Sequence, residues 1–225
     1  MYRKIENLKE VIENHLTYLE TGDLAKRADL SGADLSGVDL SGVTLTGGIL
    51  NGAKLRGTDL YAADLSGALL NEADLSGANL SFATLTGGIL NGAKLNGAKL
   101  SFANLFKANL SIAQLRFADL NDTDLRGTDL RAADLHRARL KGADLSGADL
   151  SGALLNGTDL RNADLRNVDL SFADLYAADL SFADLSFAYL SCTKLNGAKL
   201  NYTMMSRAYM SGTDLSGAEG LNGKT

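Results

Sequence analysis

The chain has 225 residues, a formal net charge of −5 and a pI near 5.0, so it lacks the basic excess typical of nucleic-acid-binding domains. Its single cysteine, Cys192, excludes an internal disulfide and favours a reducing compartment. It contains no apolar run of about eighteen residues, and the start MYRKIENLKE lacks the apolar stretch of a signal peptide. We therefore expect a cytoplasmic protein that makes no membrane contact.

The first 24 residues predict an amphipathic α-helix. Its apolar residues recur at intervals of three and four, at Ile5, Leu8, Ile12, Leu16 and Leu19. Gly22 is a typical C-terminal stop for such a helix. We expect segment 1–24 to cap one end of the structure that follows, and a helix that binds a partner is the alternative.

From Leu30 onwards, leucine returns at every fifth position. The series is unbroken to Leu200 and continues as Met205, Met210 and Leu215, which makes 38 consecutive pentapeptides. Two residues before each of these centres the side chain is small, and the residue directly before the centre is mostly Asp. An α-helix would spread leucines at this spacing around its circumference, and a strand would place them on alternate faces. Neither structure buries them together.

A chain that turns by about a right angle in each pentapeptide does bury the leucines. Every leucine then points at a common axis, four pentapeptides close one coil, and a coil has twenty residues. The segment TLTGGILNGAKL occurs at 44–55 and again at 84–95, an offset of two such coils. The small residue before each centre fits this interior, because two large side chains per pentapeptide would overfill it.

These pentapeptides resemble the motif A-(D/N)-L-x-x of the pentapeptide-repeat family, over about residues 28–219. The resemblance implies an all-β solenoid, a right-handed quadrilateral β-helix of about 9.5 coils. We place the repeats at 25–219 and a C-terminal tail at 220–225. The family is abundant in cyanobacteria, which makes that origin plausible for this chain.

In a twenty-residue coil, residue n lies beside residue n + 20, so the sequence maps the faces of the solenoid. Two columns of aspartate result, Asp124, Asp144, Asp164 and Asp184 in one and Asp129, Asp149 and Asp169 in the other. Stacked like charges are unfavourable, so these columns need a reason. One reason is turn chemistry, because Asp accepts hydrogen bonds from nearby backbone amides.

The other reason comes from the resemblance, since some family members protect DNA gyrase from quinolone drugs by imitating DNA. Segment 116–185 carries 13 Asp against eight Lys and Arg, whereas segment 186–225 is net positive. That balance favours turn chemistry, with a gyrase-binding DNA mimic as the alternative.

Apolar residues stand at Ile49, Leu69 and Ile89, where Asp is usual. They are either a ladder that packs on itself or a contact patch for a partner. Tyr189 and Tyr209 lie in the same column, and together with Tyr202 they indicate an interface in the C-terminal third. The last coil has no helix to cover it, so we expect a monomer or a C-terminal homodimer.

The corner two residues after each centre holds Gly in many repeats and Phe in others, such as Phe82 and Phe172. Gly suits a positive φ there and Phe does not, so we predict two turn geometries along the solenoid.

No pattern in the sequence predicts catalysis. His136 and Cys192 are nearly three coils apart, the corner serines have no activating base, and no Cys/His metal spacing is present. We therefore expect no enzyme activity, no cofactor and no metal. A basic cluster is interleaved with Asp and favours salt-bridged faces over direct nucleic-acid binding, with members Arg116, Arg126, Arg131, His136, Arg137, Arg139 and Lys141. The expected function is that of a rigid solenoid that binds an unidentified protein.

Overall fold

The structure, a computed structural model, describes residues 7–220. It begins with helix α1 at Leu8–Thr21 and a 3₁₀ helix at Leu24–Lys26. A solenoid follows, held together by parallel β-bridges that extend from Asp29 to Glu219. Within the described residues each contact is a single bridge, and no longer strand forms. Ile5 and the part of the predicted tail at 221–225 lie outside the described residues.

Every bridge joins a residue to the one twenty positions later. Asp29 pairs with Ile49, Asp34 pairs with Lys54, and the series continues at every fifth residue to the pair of Lys199 with Glu219. Each coil therefore has four bridges and four turns. This pairing confirms the predicted twenty-residue register.

The pentapeptide around Leu150 shows how the backbone is satisfied. The N–H of Leu150 donates to the carbonyl of Asp169 in the next coil at 2.7 Å, and the N–H of Asp149 donates to the carbonyl of Thr128 in the preceding coil at 3.0 Å. The residue two after the leucine also donates to the next coil, and the residue three after it closes the turn onto the leucine carbonyl at 3.0 Å. Four of the five N–H groups are thus bonded by the backbone alone.

The fifth N–H group belongs to the residue directly after the leucine. In this repeat the N–H of Ser151 donates to Oδ1 of Asp149 at 2.9 Å, which is an Asx turn. An acceptor with a short side chain is needed one residue before the leucine, and Asp or Asn supplies it. The repeat prefers these residues because they complete the hydrogen bonding of each turn.

The interior is a stack of leucines and small residues. From Leu30 to Leu200, the central leucines are at most 4% exposed, and the inward Ala residues are equally buried. Most inward threonines donate their hydroxyl hydrogen to a backbone carbonyl of the preceding coil, as Thr58 Oγ1 does to Leu35 O at 2.8 Å, and Thr158 donates to Leu155 O of its own turn at 2.8 Å. Thr is therefore accepted at a position that is otherwise apolar.

The corners share one turn geometry, so the prediction of two was wrong. At every position two after a centre, from Gly32 to Gly217, φ lies between 53° and 71°, including 61° at Phe172. The bridge hydrogen bonds fix each corner in the same conformation, and they override the preference of the residue, which for a non-glycine costs about 1–2 kcal/mol. A side chain at the corner points outward, because a Cβ added to Gly32 would meet nothing within 4 Å.

Helix α1 begins at an N-cap, Asn7, whose Oδ1 accepts from the N–H of Glu10 at 3.4 Å. The helix ends at Gly22, where φ is 76° and the N–H donates to the carbonyl of Tyr18 at 2.8 Å. This left-handed residue confirms the predicted stop.

The face of α1 that packs on the solenoid differs from the predicted one. Leu8, Val11 and Ile12 pack against the core and His15 is fully buried, whereas Leu16 and Leu19 are 43% and 40% exposed. The reason is a hydrogen bond that Nδ1 of His15 accepts from the backbone N–H of Ala28 in the first coil. That contact turns the His15 side of the helix inward.

The two ends of the solenoid are unlike. At the N-terminal end α1 covers part of the first coils, but at the C-terminal end the central residues Met205, Met210 and Leu215 are only partly buried. Within residues 7–220, no helix is long and apolar enough to cross a membrane.

Candidate interaction surfaces

The structure places most of the predicted surface residues in one column, which we call the tyrosine face. Successive bridges join its members in the order Ile49, Leu69, Ile89, Asn109, Asp129, Asp149, Asp169, Tyr189 and Tyr209. Along the solenoid this face is therefore apolar, then acidic, then aromatic. The sequence map treated its apolar and acidic parts as separate candidates.

The neighbouring column, five residues earlier in each coil, is called the aspartate face. Its bridges join Asn104, Asp124, Asp144, Asp164, Asp184 and Met204. The two faces meet at a corner that carries Arg126, Arg166 and, further along, Phe187 and Arg207. All seven predicted aspartates thus lie around one corner.

The aspartates of both faces close the turns that follow them. Each Oδ1 accepts from the N–H two residues later: Asp124 from Arg126 at 3.1 Å, Asp144 from Ser146 at 3.0 Å, Asp164 from Arg166 at 3.1 Å, Asp184 from Ser186 at 2.9 Å, Asp129 from Arg131 at 3.1 Å, Asp149 from Ser151 at 2.9 Å and Asp169 from Ser171 at 2.8 Å. Turn chemistry therefore accounts for an Asp at each of these positions.

Arginines at the corners reduce the repulsion within the columns. Arg126 lies 2.7 Å from the carboxylate of Asp124 and 3.8 Å from that of Asp144 in the next coil. Arg131 bridges Asp129 and Asp149 in the same way, at 2.7 Å and 3.8 Å. The hydrogen bond from each guanidinium is the main cause that lowers the pKa of Asp124 and of Asp129. The two columns therefore carry less net negative charge than their number of carboxylates alone would give.

The C-terminal part of both faces is aromatic and exposed. The rings of Tyr189 and Tyr209 stack with centroids 5.0 Å apart and planes 6° apart, and those of Phe182 and Tyr202 stack at 5.0 Å and 12°. The guanidinium of Arg207 lies over the ring of Phe187. We call this the C-terminal aromatic surface, with members Phe182, Phe187, Tyr189, Tyr202, Met204 and Tyr209, which are 42–72% exposed.

At positions 189 and 209, tyrosine replaces the Asp or Asn whose side chain usually accepts the turn hydrogen bond. The N–H groups of Ser191 and Ser211, two residues later, make no hydrogen bond within the described chain. Neither tyrosine is explained by the turn, so the requirement that accounts for the aspartates does not account for the aromatic surface.

In the apolar part of the tyrosine face, a turn N–H that lacks an Asp acceptor is bonded to an asparagine of the preceding coil. Leu69 has no side-chain acceptor, but Oδ1 of Asn51 accepts from the N–H and from Nδ2 of Asn71 at 3.0 Å and 2.9 Å. Asn91 instead donates to Ser111 in the next coil at 2.7 Å. The amides of Asn51 and Asn71 therefore join two adjacent coils, and that of Asn91 joins the next pair through Ser111. The trio itself is partly buried, with Ile89 37% exposed.

Sequence reasoning missed two groups of aromatic contacts. Tyr61, Phe82 and Phe102 form a second exposed stack, with ring centroids 5.5 Å and 5.0 Å apart. Met204 and Phe187 belong to the C-terminal aromatic surface, although they lie in other columns of the twenty-residue coil than the tyrosines. A map by position within the twenty-residue coil, over every repeat position, would have found both groups.

The part of the chain that the structure describes contains no group of three or more His, Cys, Asp or Glu residues able to hold a metal ion. His15 lies at the α1 junction, far along the solenoid from His136 and Cys192. The arrangement of side chains is that of a patterned surface.

A family model described as pentapeptide repeats matches the chain over overlapping ranges, at 26–60, 58–97, 73–111, 108–147, 143–181 and 178–217. These ranges together span most of the chain. A comparison with curated proteins finds no match.

Among solved structures, the chain is similar to HetL, a pentapeptide repeat protein involved in heterocyst differentiation regulation from the cyanobacterium Nostoc sp. strain PCC 7120. The two are 33% identical over 92% of this chain and 96% of that chain, with a TM-score of 0.45. A pentapeptide repeat protein from the Arabidopsis thaliana thylakoid lumen is 35% identical over 44% of this chain and 66% of its own, with a TM-score of 0.36. Full-length QnrB1, a plasmid-mediated fluoroquinolone resistance protein, is 19% identical over 80% and 92%, with a TM-score of 0.31.

Proposed function

The chain belongs to the pentapeptide-repeat family, and on that premise we propose that it is a non-enzymatic, rigid solenoid whose C-terminal aromatic surface binds a partner protein. The observation that supports this is the replacement of the turn acceptor by Tyr189 and Tyr209. Aromatic side chains are enriched at the centres of protein interfaces relative to the rest of the surface. Here they are stacked and therefore preordered, so binding loses little side-chain entropy.

The remaining features of the proposal follow from the same repeat. We infer that the coils wind to the right, that they number about 9.5, and that α1 in segment 1–24 caps the N-terminal end of the repeats at 25–219. We also place the protein in the cytoplasm, which suits its single free thiol, Cys192.

The test is capture of the partner from the native host with the full chain as bait. Tyr189→Asp and Tyr209→Asp are the matched variants, because Asp restores the turn acceptor that the rest of the column has. Both variants should still fold, because the restored turn hydrogen bond offsets the lost stack of Tyr189 and Tyr209, and both should lose the partner.

A control variant on the opposite side of the same coils is Lys199→Asn, which also supplies a turn acceptor and should retain the partner. Loss of the partner with Leu69→Asp, while both tyrosine variants still bind, would move the interaction to the apolar part of the tyrosine face. Equal capture by every variant would overturn the proposal.

A second candidate function is DNA mimicry toward DNA gyrase. The seven aspartates around one corner favour it, and the bridging Arg126 and Arg131 weigh against it. A gyrase supercoiling assay distinguishes DNA mimicry from binding of another partner, because only a mimic inhibits gyrase or relieves its inhibition by quinolones. Asp144→Asn and Asp164→Asn keep the turn acceptors and remove two charges, so together they should abolish the effect of a mimic and leave the fold intact.

A third question is whether two copies meet at their C-terminal ends. The partly exposed Met205, Met210 and Leu215 favour such a homodimer, because a second copy would cover the open core. Light scattering at increasing concentration distinguishes a dimer from a monomer. A Leu215→Lys variant should remain monomeric at every concentration, and a monomeric wild type would dismiss the homodimer.

A further inference from the structure

On the corner opposite the two interaction faces, an open groove of about 220 Å³ lies between three successive coils. Its lining consists of His136, Arg137, Asn156, Gly157, Tyr176 and Ala177. The groove exists because the corner residues change size along the solenoid. Arg137 occupies one corner, while the next two corners hold only Gly157 and Ala177.

The side chains of the groove are placed by their own coils. The stem of Arg137 leans over the following corner, where a Cβ on Gly157 would lie 3.6 Å from its Cγ. The ring of Tyr176 leans over Gly197 in the same direction, and the tyrosine is 54% exposed. The floor between them is therefore backbone and a methyl group, with one flat apolar wall.

The charge of Arg137 sets it apart from the other arginines of this region. Six arginines between 116 and 166 lie within 4.0 Å of an aspartate carboxylate, namely Arg116, Arg126, Arg131, Arg139, Arg161 and Arg166. Arg137 has no such carboxylate within the described chain. A guanidinium with five donors is thus left available at the mouth of the groove.

The carboxylates beside the groove are engaged by groups other than Arg137. Asp134 lies 3.3 Å from Arg116 and accepts from the N–H of His136. Asp174 accepts from Nδ2 of Asn156 at 2.7 Å and from the N–H of Tyr176 at 3.1 Å. Of the residues that line the groove, Arg137 is the one with a permanent charge.

We propose that this groove binds small aromatic carboxylates. Arg137 pairs with the carboxylate, for which its planar fork is the matching shape, and the ring lies on the floor of Gly157 and Ala177 against Tyr176. Such a carboxylate belongs either to a free aromatic acid or to the C-terminus of a peptide that ends in an aromatic residue. The site lies on a different corner from every member of the C-terminal aromatic surface, so it does not rest on the proposed partner.

The test is a titration of the full chain with benzoate, followed by amide chemical shifts and by calorimetry. Acetate has the charge without the ring and benzamide has the ring without the charge, so both should bind at least tenfold more weakly. The shifts should centre on residues 136–137, 156–157 and 176–177. Benzoate and N-acetylphenylalanine separate the sources, because the latter presents the terminal carboxylate of a peptide. Phenylalanine amide, which lacks that carboxylate, is the control for N-acetylphenylalanine.

Two variants locate the site. Arg137→Gln should weaken benzoate at least tenfold, as should Ala177→Phe, which fills the groove at a corner position that Phe172 and Phe182 already occupy with the same φ. The controls are Arg139→Gln on the same coil and Ala132→Phe at another corner, and both should bind as the wild type does.

Binding of benzoate alone assigns the groove to free acids, and binding of N-acetylphenylalanine alone assigns it to peptide termini. Absence of saturable binding by either, or binding that Arg137→Gln leaves unchanged, overturns the proposal.

Discussion

The backbone N–H of Ala28 donates a hydrogen bond of 3.0 Å to Nδ1 of His15, across the junction between α1 and the first coil. Since Nδ1 is the acceptor, the ring is neutral and carries its proton on Nε2, which is buried and makes no hydrogen bond of normal geometry in the described chain. Protonation of Nδ1 would break this bond and bury a charge. The junction is therefore sensitive to pH.

Stability should fall as the pH drops below neutrality. Burial is the main cause that lowers the pKa of His15, the charge of Arg27 adds to it, and the backbone of Thr46 acts in the opposite direction. Because the folded pKa is below the ordinary value near 6.5, the unfolded chain binds the proton first. The stabilisation is complete above pH 6.5 and is lost as the pH falls through the folded pKa.

The measurement is the urea midpoint between pH 7.5 and pH 5.5. His15→Gln should flatten this dependence, and His136→Gln, which removes the other histidine, should leave it as in the wild type. An unchanged slope in His15→Gln would contradict the assignment.

The central leucines should differ in importance along the solenoid. Leu150 is fully buried between coils, so Leu150→Ala should reduce the free energy of unfolding by about 2–5 kcal/mol. Leu215 is only partly buried in the last coil, so Leu215→Ala should cost clearly less. Denaturant unfolding of both variants tests this order, and equal losses would mean that the last coil is covered in solution.

The Asx turns give a test that separates acceptor from charge. Asp149→Asn keeps an oxygen for the N–H of Ser151 and removes a stacked charge at the loss of an exposed contact with Arg131 at 3.8 Å, so its stability should stay within about 0.5 kcal/mol of the wild type. Asp149→Ala leaves that N–H without its partner and should lose about 1 kcal/mol. If thermal unfolding placed both variants at the same stability, the turn hydrogen bond would not be the reason for Asp.

The corner phenylalanines should respond to glycine in opposite ways. Phe172 has a φ of 61° and is 70% exposed, so Phe172→Gly should relieve strain and stabilise the protein by up to about 1 kcal/mol. Phe102 stacks on Phe82 with centroids 5.0 Å apart, and Phe102→Gly should lose that contact, of about 0.5–1.5 kcal/mol. Denaturant midpoints that shift equally would show that the stack contributes nothing.

The sequence predicted the register because the register is repeated in every pentapeptide. One leucine every five residues has a single solution that buries all copies, and Ile49, Leu69 and Ile89 therefore fell into one column. The prediction of two turn geometries was wrong because the bridges on both sides of Phe172 outweigh the preference of Phe for negative φ.

Two other features depend on contacts that no local pattern contains. The face of α1 is set by the bond between His15 and Ala28, thirteen residues apart, so apolar spacing alone selected Leu16 and Leu19 wrongly. The availability of the Arg137 guanidinium at the groove depends on the absence of a partner carboxylate within the described residues. In the sequence that arginine looks like every other member of the basic cluster.

A single turn geometry at every corner has a consequence for how such chains diversify. Adding or deleting one pentapeptide between Asp169 and Tyr189 would leave the leucine stack continuous, yet it would rotate everything beyond it by a quarter turn. The tyrosines would then sit over another side of the molecule, whereas a change of four pentapeptides would merely shift them along its axis. The number of inserted or deleted pentapeptides thus determines which side chains lie on the same face of the solenoid.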